Sequence, residues 1–421
     1  MKNRYLLAVL VLPFLSAAQE KSTDLPSPGE SHINFAKVIG WENGRKPTAP
    51  EGFTVTRYAD GFDSPRWMYV LPNGDVLVAE TNAKYPVLVQ AGAVVSGAAK
   101  ANNISRSPNK ITLLRDADKD GKAEVRETFL DDQLNQHLGM LVIGKWLYVA
   151  NTDALFRFPY KQGETKISGK GKKIVDLTTS SINMHWGKNI IANGDNSKIY
   201  ISVGSATNIA DKGMDEEIMR ANILEVNPDG SGMRIFASGL RNPMGMDWAP
   251  GTKTLWTVVV ERDFLGDELV PDYFTSVKES GFYGWPWSYF GQHIDKRVDN
   301  AKPEMVKSAI VPDVNMGAHT TCMGLKFYTG SSFPSKYRNG AFITQHGSYN
   351  RKKLAGYKVV FIPFKDGKPA GEPEDFLTGF VVDPDKDEVY GRPLGIVMMN
   401  DGSLLVSDDK TNTIWRISAN R

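Results

Sequence analysis

Apolar and polar positions along this chain recur in one repeated unit. Each unit combines a short apolar strand, a turn rich in Gly, Asn and Asp, and a second strand with alternating apolar residues. Strand hairpins that recur in this way are typical of a β-propeller. The pattern predicts an all-β fold, a six-bladed β-propeller of four-stranded antiparallel blades. The second strands of the six units contain Leu77, Leu147, Ile199, Leu255, Phe342 and Leu404.

Polar residues stand immediately before or at the start of the leading strand of each unit. The innermost strands of a propeller surround one channel, so residues at the same end of these strands meet. We therefore expect these residues to share one pocket. They are Arg66, Gln136, His137, His185, Arg241, Asn242, His319 and Arg392.

Four arginines give the expected pocket its charge. Arg66, Arg241 and Arg392 belong to the set above, and Arg351 lies in the segment HGSYNR. Guanidinium groups bind carboxylates and phosphates through paired hydrogen bonds, so the arginines predict a polyanionic ligand. His185 titrates near neutrality and is a candidate for proton transfer, the alternative being a packed, hydrogen-bonded histidine.

An acidic segment follows the fourth unit. It supplies the oxygen ligands that a hard cation such as Ca²⁺ prefers, although a solvated acidic loop has the same composition. An aromatic loop, residues 281–291, comes next and contains Trp285; it predicts either a rim for a substrate or a capped hydrophobic loop. The acidic residues are Glu261, Asp263, Asp267, Glu268 and Asp272.

A second acidic cluster, Asp116 to Glu127, matches the D-x-D-x-D-G pattern of a calcium-binding loop. The flanking residues alternate as strands rather than helices. We therefore interpret the cluster as a hairpin tip in the first blade, with structural calcium or no ion as the alternatives.

Composition and charge indicate how the chain is divided and which classes of protein they exclude. Residues 1–18 resemble a cleaved signal peptide, which predicts a periplasmic or secreted protein. Residues 19–50 predict a polar leader, either mobile or strapped over the surface, and residues 51–421 the catalytic propeller domain. A net charge of +2 with interspersed signs argues against nucleic-acid binding, and no segment approaches a transmembrane span. The single cysteine, Cys322, rules out an internal disulfide.

The chain resembles the soluble glucose/sorbosone dehydrogenases, and within them the sorbosone dehydrogenase-like subgroup that includes the pyranose dehydrogenases. The resemblance rests on Arg241-Asn242-Pro243, on the segment YGWP at residues 283–286 and on the histidine that leads the third unit. It covers residues 53–417. It implies a six-bladed propeller that uses pyrroloquinoline quinone (PQQ) and Ca²⁺ to oxidise an aldose or related sugar.

The resemblance also implies roles for individual residues. His185 would remove the proton of a sugar hydroxyl while hydride passes to the quinone, and electrons would leave to a cytochrome, a quinone or another soluble or membrane-bound acceptor. The cofactor contacts would be Arg241, Asn242, Arg392, Arg351 and Arg66. The substrate contacts would be Gln136, His137, His319 and Trp285. The cation would be held by Glu261, Arg262 and Asp263, partly through backbone carbonyls, with Asp267 in support.

Some positions depart from the family pattern. Ser205 stands where the glucose-oxidising relatives have an acidic residue, so the sequence does not reveal what orients His185. Two other functions therefore stay open: a calcium-dependent lactonase or esterase, and a non-catalytic propeller that binds a partner or a glycan. The arginines count against the first, because a neutral lactone has no need of so much positive charge.

Overall fold

The structure is a computed structural model, and it describes residues 24–84, 98–101, 107–180, 183–298 and 302–420. The predicted signal peptide lies outside these residues. Within them nearly all of the regular secondary structure is β-strand, with one short helix, α1 (Pro303–Ser308), and 3₁₀ turns at Ala98–Ala101, Met214–Glu217 and Ser335–Tyr337. None of the described helices is long and apolar enough to cross a membrane.

The strands of the first half are β1 (Lys37–Val38), β2 (Phe53–Asp60), β3 (Pro65–Val70), β4 (Val76–Glu80), β5 (Lys110–Arg115), β6 (Val125–Leu130), β7 (Met140–Ile143), β8 (Trp146–Ala150), β9 (Ala154–Pro159), β10 (Lys172–Asp176), β11 (Lys188–Ala192), β12 (Ile199–Val203), β13 (Asn222–Val226) and β14 (Arg234–Ser238). Those of the second half are β15 (Pro243–Trp248), β16 (Leu255–Val259), β17 (Pro271–Val277), β18 (Gly281–Phe282), β19 (Ser288–Tyr289), β20 (His293–Ile294), β21 (Val314–Ala318), β22 (Cys322–Phe327), β23 (Gly340–Gln345), β24 (Lys358–Lys365), β25 (Lys368–Pro369), β26 (Glu374–Leu377), β27 (Val381–Asp383), β28 (Glu388–Val389), β29 (Pro393–Met398), β30 (Leu404–Asp408) and β31 (Thr413–Ala419).

Most of these strands belong to six sheets built on four antiparallel strands each, as the repeated unit predicts; β18 adds a parallel fifth strand beside β14, and β25 pairs with β24. The sheets are β3-β4-β5-β6, β7-β8-β9-β10, β11-β12-β13-β14, β15-β16-β17-β21, β22-β23-β24-β26 and β29-β30-β31-β2. In the last sheet β2, near the N-terminus, pairs with β31, near the C-terminus. Each predicted hairpin therefore supplies the first two strands of one sheet.

The first strands of neighbouring sheets lie side by side. β3 contacts β7, β7 contacts β11, β11 contacts β15, β15 contacts β22, β22 contacts β29, and β29 contacts β3. Glycine permits this approach: a Cβ at Gly245 in β15 would lie 2.6 Å from the Leu325 nitrogen, and one at Gly395 in β29 would lie 2.4 Å from the Arg66 oxygen. A side chain at either position would therefore force the strands apart.

Apolar residues fill the space between sheets. Trp256 and Phe274 of the β15-β16-β17-β21 sheet pack with Phe327 and Phe364 of the next sheet, with Trp256 and Phe274 ring centroids 4.7 Å apart. Close packing of large side chains of this kind stabilises a chain that has no disulfide. The core lies between the sheets, which leaves the ends of the first strands free to carry polar residues.

The described part of the predicted leader packs on the surface. β1 pairs with β28 in parallel, and the ring of Trp41 packs against Phe380, Tyr390 and Trp415. The indole nitrogen of Trp41 donates to Asp408 Oδ2 at 2.8 Å. We call residues 24–41 the N-terminal strap.

Candidate active site

A cavity of about 420 Å³ lies at one end of the first strands. This volume falls in the range of small-molecule and cofactor sites. Strands of the six sheets, or loops next to them, contribute residues to its wall, together with the N-terminal strap. The residues lining the cavity are Phe35, Arg66, Leu138, Met184, His185, Trp186, Gly187, Arg241, Asn242, Met244, Val260, Glu261, Asp263, Asp272, His319, Thr321, Met323, His346, Tyr349 and Arg392.

The ring of His185 is fixed by Ser205. Nδ1 lies 2.8 Å from the Ser205 carbonyl oxygen and 3.0 Å from Ser205 Oγ. Because a carbonyl oxygen only accepts, Nδ1 carries the hydrogen and the lone pair of the neutral ring is on Nε2. Burial and the nearby Arg241 lower the pKa of His185 well below its usual value. The imidazole is therefore neutral at physiological pH and able to accept a proton.

Two buried basic side chains hold the segment around His185. The Arg220 guanidinium donates to the Gly204 oxygen at 3.0 Å, to Asn183 Oδ1 at 2.7 Å and to the Ser205 oxygen at 3.0 Å. Lys188 Nζ donates to the His185 oxygen at 3.1 Å. Burial lowers the pKa of Arg220 to about 10, so its charge persists near neutrality and further disfavours a protonated His185. No motif or repeat position in the sequence identifies Arg220.

Asn242 lies beside His185 and has an unsatisfied acceptor. Its Oδ1 atom is buried and forms no hydrogen bond. Gly204 makes room for it, because a Cβ there would lie 2.4 Å from Asn242 Oδ1 and 2.5 Å from His185 Cβ. A buried polar atom without a partner costs free energy unless something else satisfies it. The amide of Asn242 is thus available to a ligand.

The cationic wall of the cavity consists of Arg66, His346 and Arg392, with Asp409 and Lys410 behind them. Asp409 accepts from Arg66 Nη1 at 3.1 Å, lies 3.2 Å from Lys410 Nζ and bonds His346 Nε2 at 2.8 Å. Burial alone would raise the pKa of Asp409, but Lys410, His346 and Arg66 outweigh it and hold that pKa well below its usual value. One ionised carboxylate therefore faces several cations.

Arg392 is fixed within the cationic wall by backbone contacts. Its Nε donates to the His346 oxygen at 2.9 Å and its Nη2 to the Gly347 oxygen at 2.8 Å, while its guanidinium lies over the Tyr357 ring. Burial and the charge of Arg392 lower the pKa of His346 to about 3, so this histidine is neutral. The positive charge of the wall comes from arginine and lysine.

The opposite carboxylate wall consists of Glu261, Asp263 and Asp272. Burial raises the pKa of Glu261 to about 7 and that of Asp272 to about 6. Asp272 accepts from the Glu261 nitrogen at 2.8 Å and from Thr320 Oγ1 at 3.1 Å. These hydrogen bonds fix the Asp272 carboxyl. Because their pKa values are raised, Glu261 and Asp272 both lose their protons at a higher pH than usual.

Asp263 differs from its neighbours in the carboxylate wall. The Tyr349 hydroxyl donates to its Oδ2 at 2.6 Å, and His319 Nδ1 lies 3.4 Å from its Oδ1. Burial alone would raise the pKa of Asp263, but His319 and Arg241 lower it further than burial raises it. Asp263 raises the pKa of His319 in return, against the effect of burial. Asp263 is therefore ionised.

Arg241 spans the space between His185 and the carboxylate wall. Its Nη1 donates to the Glu261 oxygen at 2.7 Å and to the Val260 oxygen at 3.2 Å, and its Nη2 to Asn208 Oδ1 at 2.8 Å. Of the backbone carbonyls of residues 261–263 that the sequence suggested as cation ligands, that of Glu261 is thus hydrogen-bonded to the Arg241 guanidinium.

Some of the predicted site residues do not line the cavity. Gln136 Nε2 donates to the Asn82 oxygen at 3.3 Å, Trp285 Nε1 donates to the Asn208 oxygen at 3.1 Å, and His137 is fully buried, which lowers its pKa to about 3. A place before a strand fixes where the backbone lies but leaves the direction of the side chain open. The predicted site residues therefore fall into two groups: those whose side chains line the cavity and those whose side chains do not.

Three charged residues of the predicted site have partners elsewhere. Arg351 Nη2 pairs with Glu268 Oε1 at 2.5 Å. Arg262 forms a buried ion pair with Asp295. Asp267 accepts hydrogen bonds from the strap and from Lys352, at 3.0 Å in the latter case. Of the four predicted cation ligands, only Glu261 and Asp263 line the cavity, so the predicted set is not assembled.

Several cavity residues were absent from the sequence-based set. His346 and Tyr349 belong to the segment HGSYNR that was noted for Arg351, so their proximity in sequence could have identified them. Phe35 comes from the leader, whose composition is polar and which lies outside the repeats. No repeat-based argument could have found it.

The other acidic cluster is the turn between β5 and β6, a hairpin tip as predicted. The carboxylate oxygens of Asp116, Asp118, Asp120 and Glu124 lie within 4.8 Å of one another. Within the described residues this is the one group of three or more acidic, His or Cys side chains arranged closely enough to hold an ion. It is separate from the cavity.

Comparison with known proteins finds a family model, a relative and solved structures that match this chain. The family model described as TrAA12-like matches residues 47–270 and 290–420. An uncharacterized protein of Borreliella burgdorferi is 29% identical over 282 residues, 64% of this chain and 72% of that protein. The calcium structure of Trichoderma reesei Carbohydrate-Active Enzymes Family AA12 has a TM-score of 0.73 at 17% identity, covering 92% of this chain and 99% of that chain.

A second solved structure is similar to the same extent. The holo form of the pyranose dehydrogenase PQQ domain from Coprinopsis cinerea has a TM-score of 0.71 at 18% identity. The match covers 91% of this chain and 100% of that chain. At such identities, the likeness to either structure shows a shared fold.

Proposed function

Because this chain belongs to the TrAA12-like family, we propose that it is a PQQ-dependent dehydrogenase that oxidises an aldose or a related sugar. Family membership confirms the resemblance to soluble PQQ-dependent sugar dehydrogenases noted in the sequence, and with it an oxidoreductase. One observation carries the finer proposal. His185, the arginines of the cationic wall and the unsatisfied Asn242 come from different sheets and line a single cavity.

We further propose that the six sheets are the blades of a six-bladed β-propeller. The contacts that run from β3 through β7, β11, β15, β22 and β29 and back to β3 support this arrangement. Pairing of β2 with β31 places both ends of the chain in one sheet, a common way to join the first and last blades. The cavity then lies at the mouth of the central channel.

The cavity suits the cofactor in its charge. PQQ carries three carboxylates, and Arg66 and Arg392 would hold them through charge-assisted hydrogen bonds. The amide of Asn242, whose oxygen has no protein partner, would bind the polar edge of the ring system. When bound, PQQ would supply a quinone that accepts a hydride, which carries both electrons of the oxidation, from the sugar.

His185 is the proposed catalytic base. Its Nε2 lone pair accepts the proton of the sugar hydroxyl, while the bond from Nδ1 to the Ser205 oxygen keeps the ring in place. The low pKa keeps this nitrogen unprotonated at neutral pH. Arg220 and Lys188 position the backbone around the ring through hydrogen bonds to the Gly204, Ser205 and His185 oxygens.

Calcium forms a separate part of the proposal. Glu261 and Asp272 are buried carboxyls with raised pKa values, and a divalent cation at the carboxylate wall would stabilise their ionised forms. The four ligands expected from the sequence do not come together, and Arg241 binds the carbonyls of Val260 and Glu261. No step of the proposed mechanism is therefore assigned to calcium.

We also propose that the protein is exported and passes its electrons to a soluble or membrane-bound acceptor such as a cytochrome or a quinone. The support is Lys2 and Arg4, the apolar stretch that follows them and the small residues Ser16 to Ala18. Export places the enzyme where free sugars and periplasmic electron acceptors meet.

The proposal is tested by reconstitution. The purified protein is incubated with PQQ, with and without CaCl₂, and reduction of an electron-accepting dye is followed with a panel of aldoses. We expect PQQ to be retained through gel filtration and dye reduction to depend on sugar. The absence of both retention and sugar-dependent reduction would contradict the proposal, and a parallel lactone panel would then test a hydrolase.

A further inference from the structure

The N-terminal strap is fastened to two loops at the cavity mouth. The Gly29 nitrogen donates to the Leu265 oxygen at 3.0 Å, and the Gly266 nitrogen donates to Ser31 Oγ at 2.9 Å. The Asn34 nitrogen donates to the Tyr349 oxygen at 2.8 Å. The strap therefore crosses from the loop after the carboxylate wall to the loop that carries Tyr349.

Asp267 is the main fastening point of the strap. Its Oδ1 lies 3.0 Å from His32 Nδ1 and 3.2 Å from the His32 nitrogen, and the Asp267 nitrogen donates to the Glu30 oxygen at 3.1 Å. Asn350 Nδ2 donates to the His32 oxygen at 3.1 Å. These contacts give a specific position to a segment that the sequence marks only as polar.

The strap delivers one side chain to the cavity. Phe35 lines the wall and stacks on Tyr349, with ring centroids 5.5 Å apart and planes inclined by 10°. Tyr349 is itself held by its hydroxyl, which donates to Asp263. Two parallel rings thus form an aromatic face beside the carboxylate wall of the cavity.

We propose that Phe35 is a specificity-determining residue, forming with Tyr349 an aromatic face that packs against the apolar C–H face of a pyranose ring. The inference rests on the proposed function. Aromatic rings give large, rigid contact area at little cost in conformational entropy, and a sugar offers a matching apolar face between its hydroxyls. The cationic wall is left to the cofactor carboxylates, so substrate and cofactor use different parts of the cavity.

The test compares three variants in the full-length protein. Phe35→Ala removes the aromatic face, and Phe35→Tyr keeps the ring. Ile33→Ala is the matched control, because Ile33 lies two residues away on the same strap and its side chain is 58% exposed. Thermal midpoints and circular dichroism establish that each variant is folded. PQQ affinity is measured by titration, and kcat and KM by dye reduction with the best sugar of the panel.

We expect Phe35→Ala to raise KM about tenfold, with kcat and PQQ affinity within about twofold of the parent protein. Phe35→Tyr and Ile33→Ala should keep the parent KM. An unchanged KM in Phe35→Ala would overturn the inference and leave the proposed function standing. Weakened PQQ binding in Phe35→Ala would also overturn it, since the aromatic face would then belong to the cofactor.

A parent protein that neither binds PQQ nor oxidises any sugar would overturn the proposed function and this inference together. That outcome is read from the parent protein alone, so it is distinct from a failure seen only in the variants.

Discussion

The cationic wall and the carboxylate wall of the cavity differ in how burial and neighbouring charges set the pKa values of their carboxyl groups. In the cationic wall, Lys410, His346 and Arg66 lower the pKa of Asp409 against the effect of burial. In the carboxylate wall, burial dominates at Glu261 and raises its pKa to about 7, although His319 and Arg241 keep Asp263 ionised. A guanidinium keeps its proton near neutrality, whereas a buried carboxyl can gain one.

This difference indicates which wall binds which partner. A permanently cationic wall favours an anion such as a polycarboxylate at every pH at which the protein is folded. A wall of carboxyls that are partly protonated presents hydrogen-bond donors and acceptors to a neutral polyol, or ligands to a cation. The two walls meet at His185 and Arg241, where the proposed proton transfer takes place.

The largest effect is expected from the residue between the walls. His185→Ala should lower kcat by about 10²- to 10⁴-fold, because the group that accepts the hydroxyl proton is removed. PQQ retention should be unchanged. Stopped-flow dye reduction with saturating sugar measures the change, and His293→Ala, a histidine outside the cavity, is the control. A fall of less than about tenfold in His185→Ala would rule out the proposed base.

The next effect concerns the stability of the cationic wall. Asp409→Asn should reduce the free energy of unfolding by about 3–5 kcal/mol, because Lys410 and Arg66 lose their buried counter-charge. Urea denaturation measures the loss, and Asp131→Asn, at an exposed carboxylate, serves as the control. A loss below about 1 kcal/mol would show that the cations do not depend on Asp409.

Cofactor affinity should depend on the arginines of the cationic wall. Arg392→Met should weaken PQQ binding by about 10- to 100-fold, the value of one charge-assisted hydrogen-bonded contact. Arg392→Lys should weaken it less, because the charge remains. Calorimetric titration gives the affinity, with Arg338→Met, at an exposed arginine, for comparison. Equal affinities in all these proteins would remove Arg392 from the cofactor site.

The pH dependence of kcat/KM should reflect the fact that Ser205, the hydrogen-bond partner of His185 Nδ1, is neutral. Because burial and Arg241 lower the pKa of His185, kcat/KM should persist to a pH well below 6.5, the usual histidine value, and fall only when Nε2 becomes protonated. Ser205→Asp places a carboxylate at Nδ1, favours the imidazolium and should move the acidic limb up by about one to three units. Ser205→Asn is the neutral control, and a profile unchanged in Ser205→Asp would contradict this assignment.

The smallest effect is expected in the carboxylate wall. Glu261→Gln should change the thermal midpoint by no more than a few degrees without calcium, because the carboxyl is partly protonated near neutrality. With CaCl₂, the midpoint of the parent protein should rise and that of Glu261→Gln should not. Both proteins carry Asp118→Asn in this experiment, which excludes binding at the β5–β6 turn. Equal calcium shifts would remove Glu261 from any cation site.

The sequence predicted what depends on local periodicity. The six hairpins and the convergence of His185, Arg241 and Arg392 follow from residues at equivalent positions of a repeat. The directions of Gln136 and Trp285 do not, because they depend on partners such as the Asn82 and Asn208 carbonyls from other parts of the chain.

Long-range partners explain the other differences. Asp267 has the chemistry of a cation ligand, but its carboxylate is hydrogen-bonded to His32 of the strap. Phe35 reaches the cavity only because the strap folds back across the mouth, and nothing in its local sequence encodes that path. Ser205 was noted as a departure from the family, and its carbonyl, which every residue possesses, supplies the missing partner of His185.

The central claim is that polar residues from separate sheets form one PQQ site, with the cofactor between the cationic wall and His185. A crystal structure of the protein with PQQ tests it most directly. We expect density for the cofactor within the cavity, its carboxylates in hydrogen-bond contact with Arg392 and Arg66 and its quinone facing His185 Nε2. Density elsewhere on the molecule, or carboxylates turned away from these arginines, would contradict the claim.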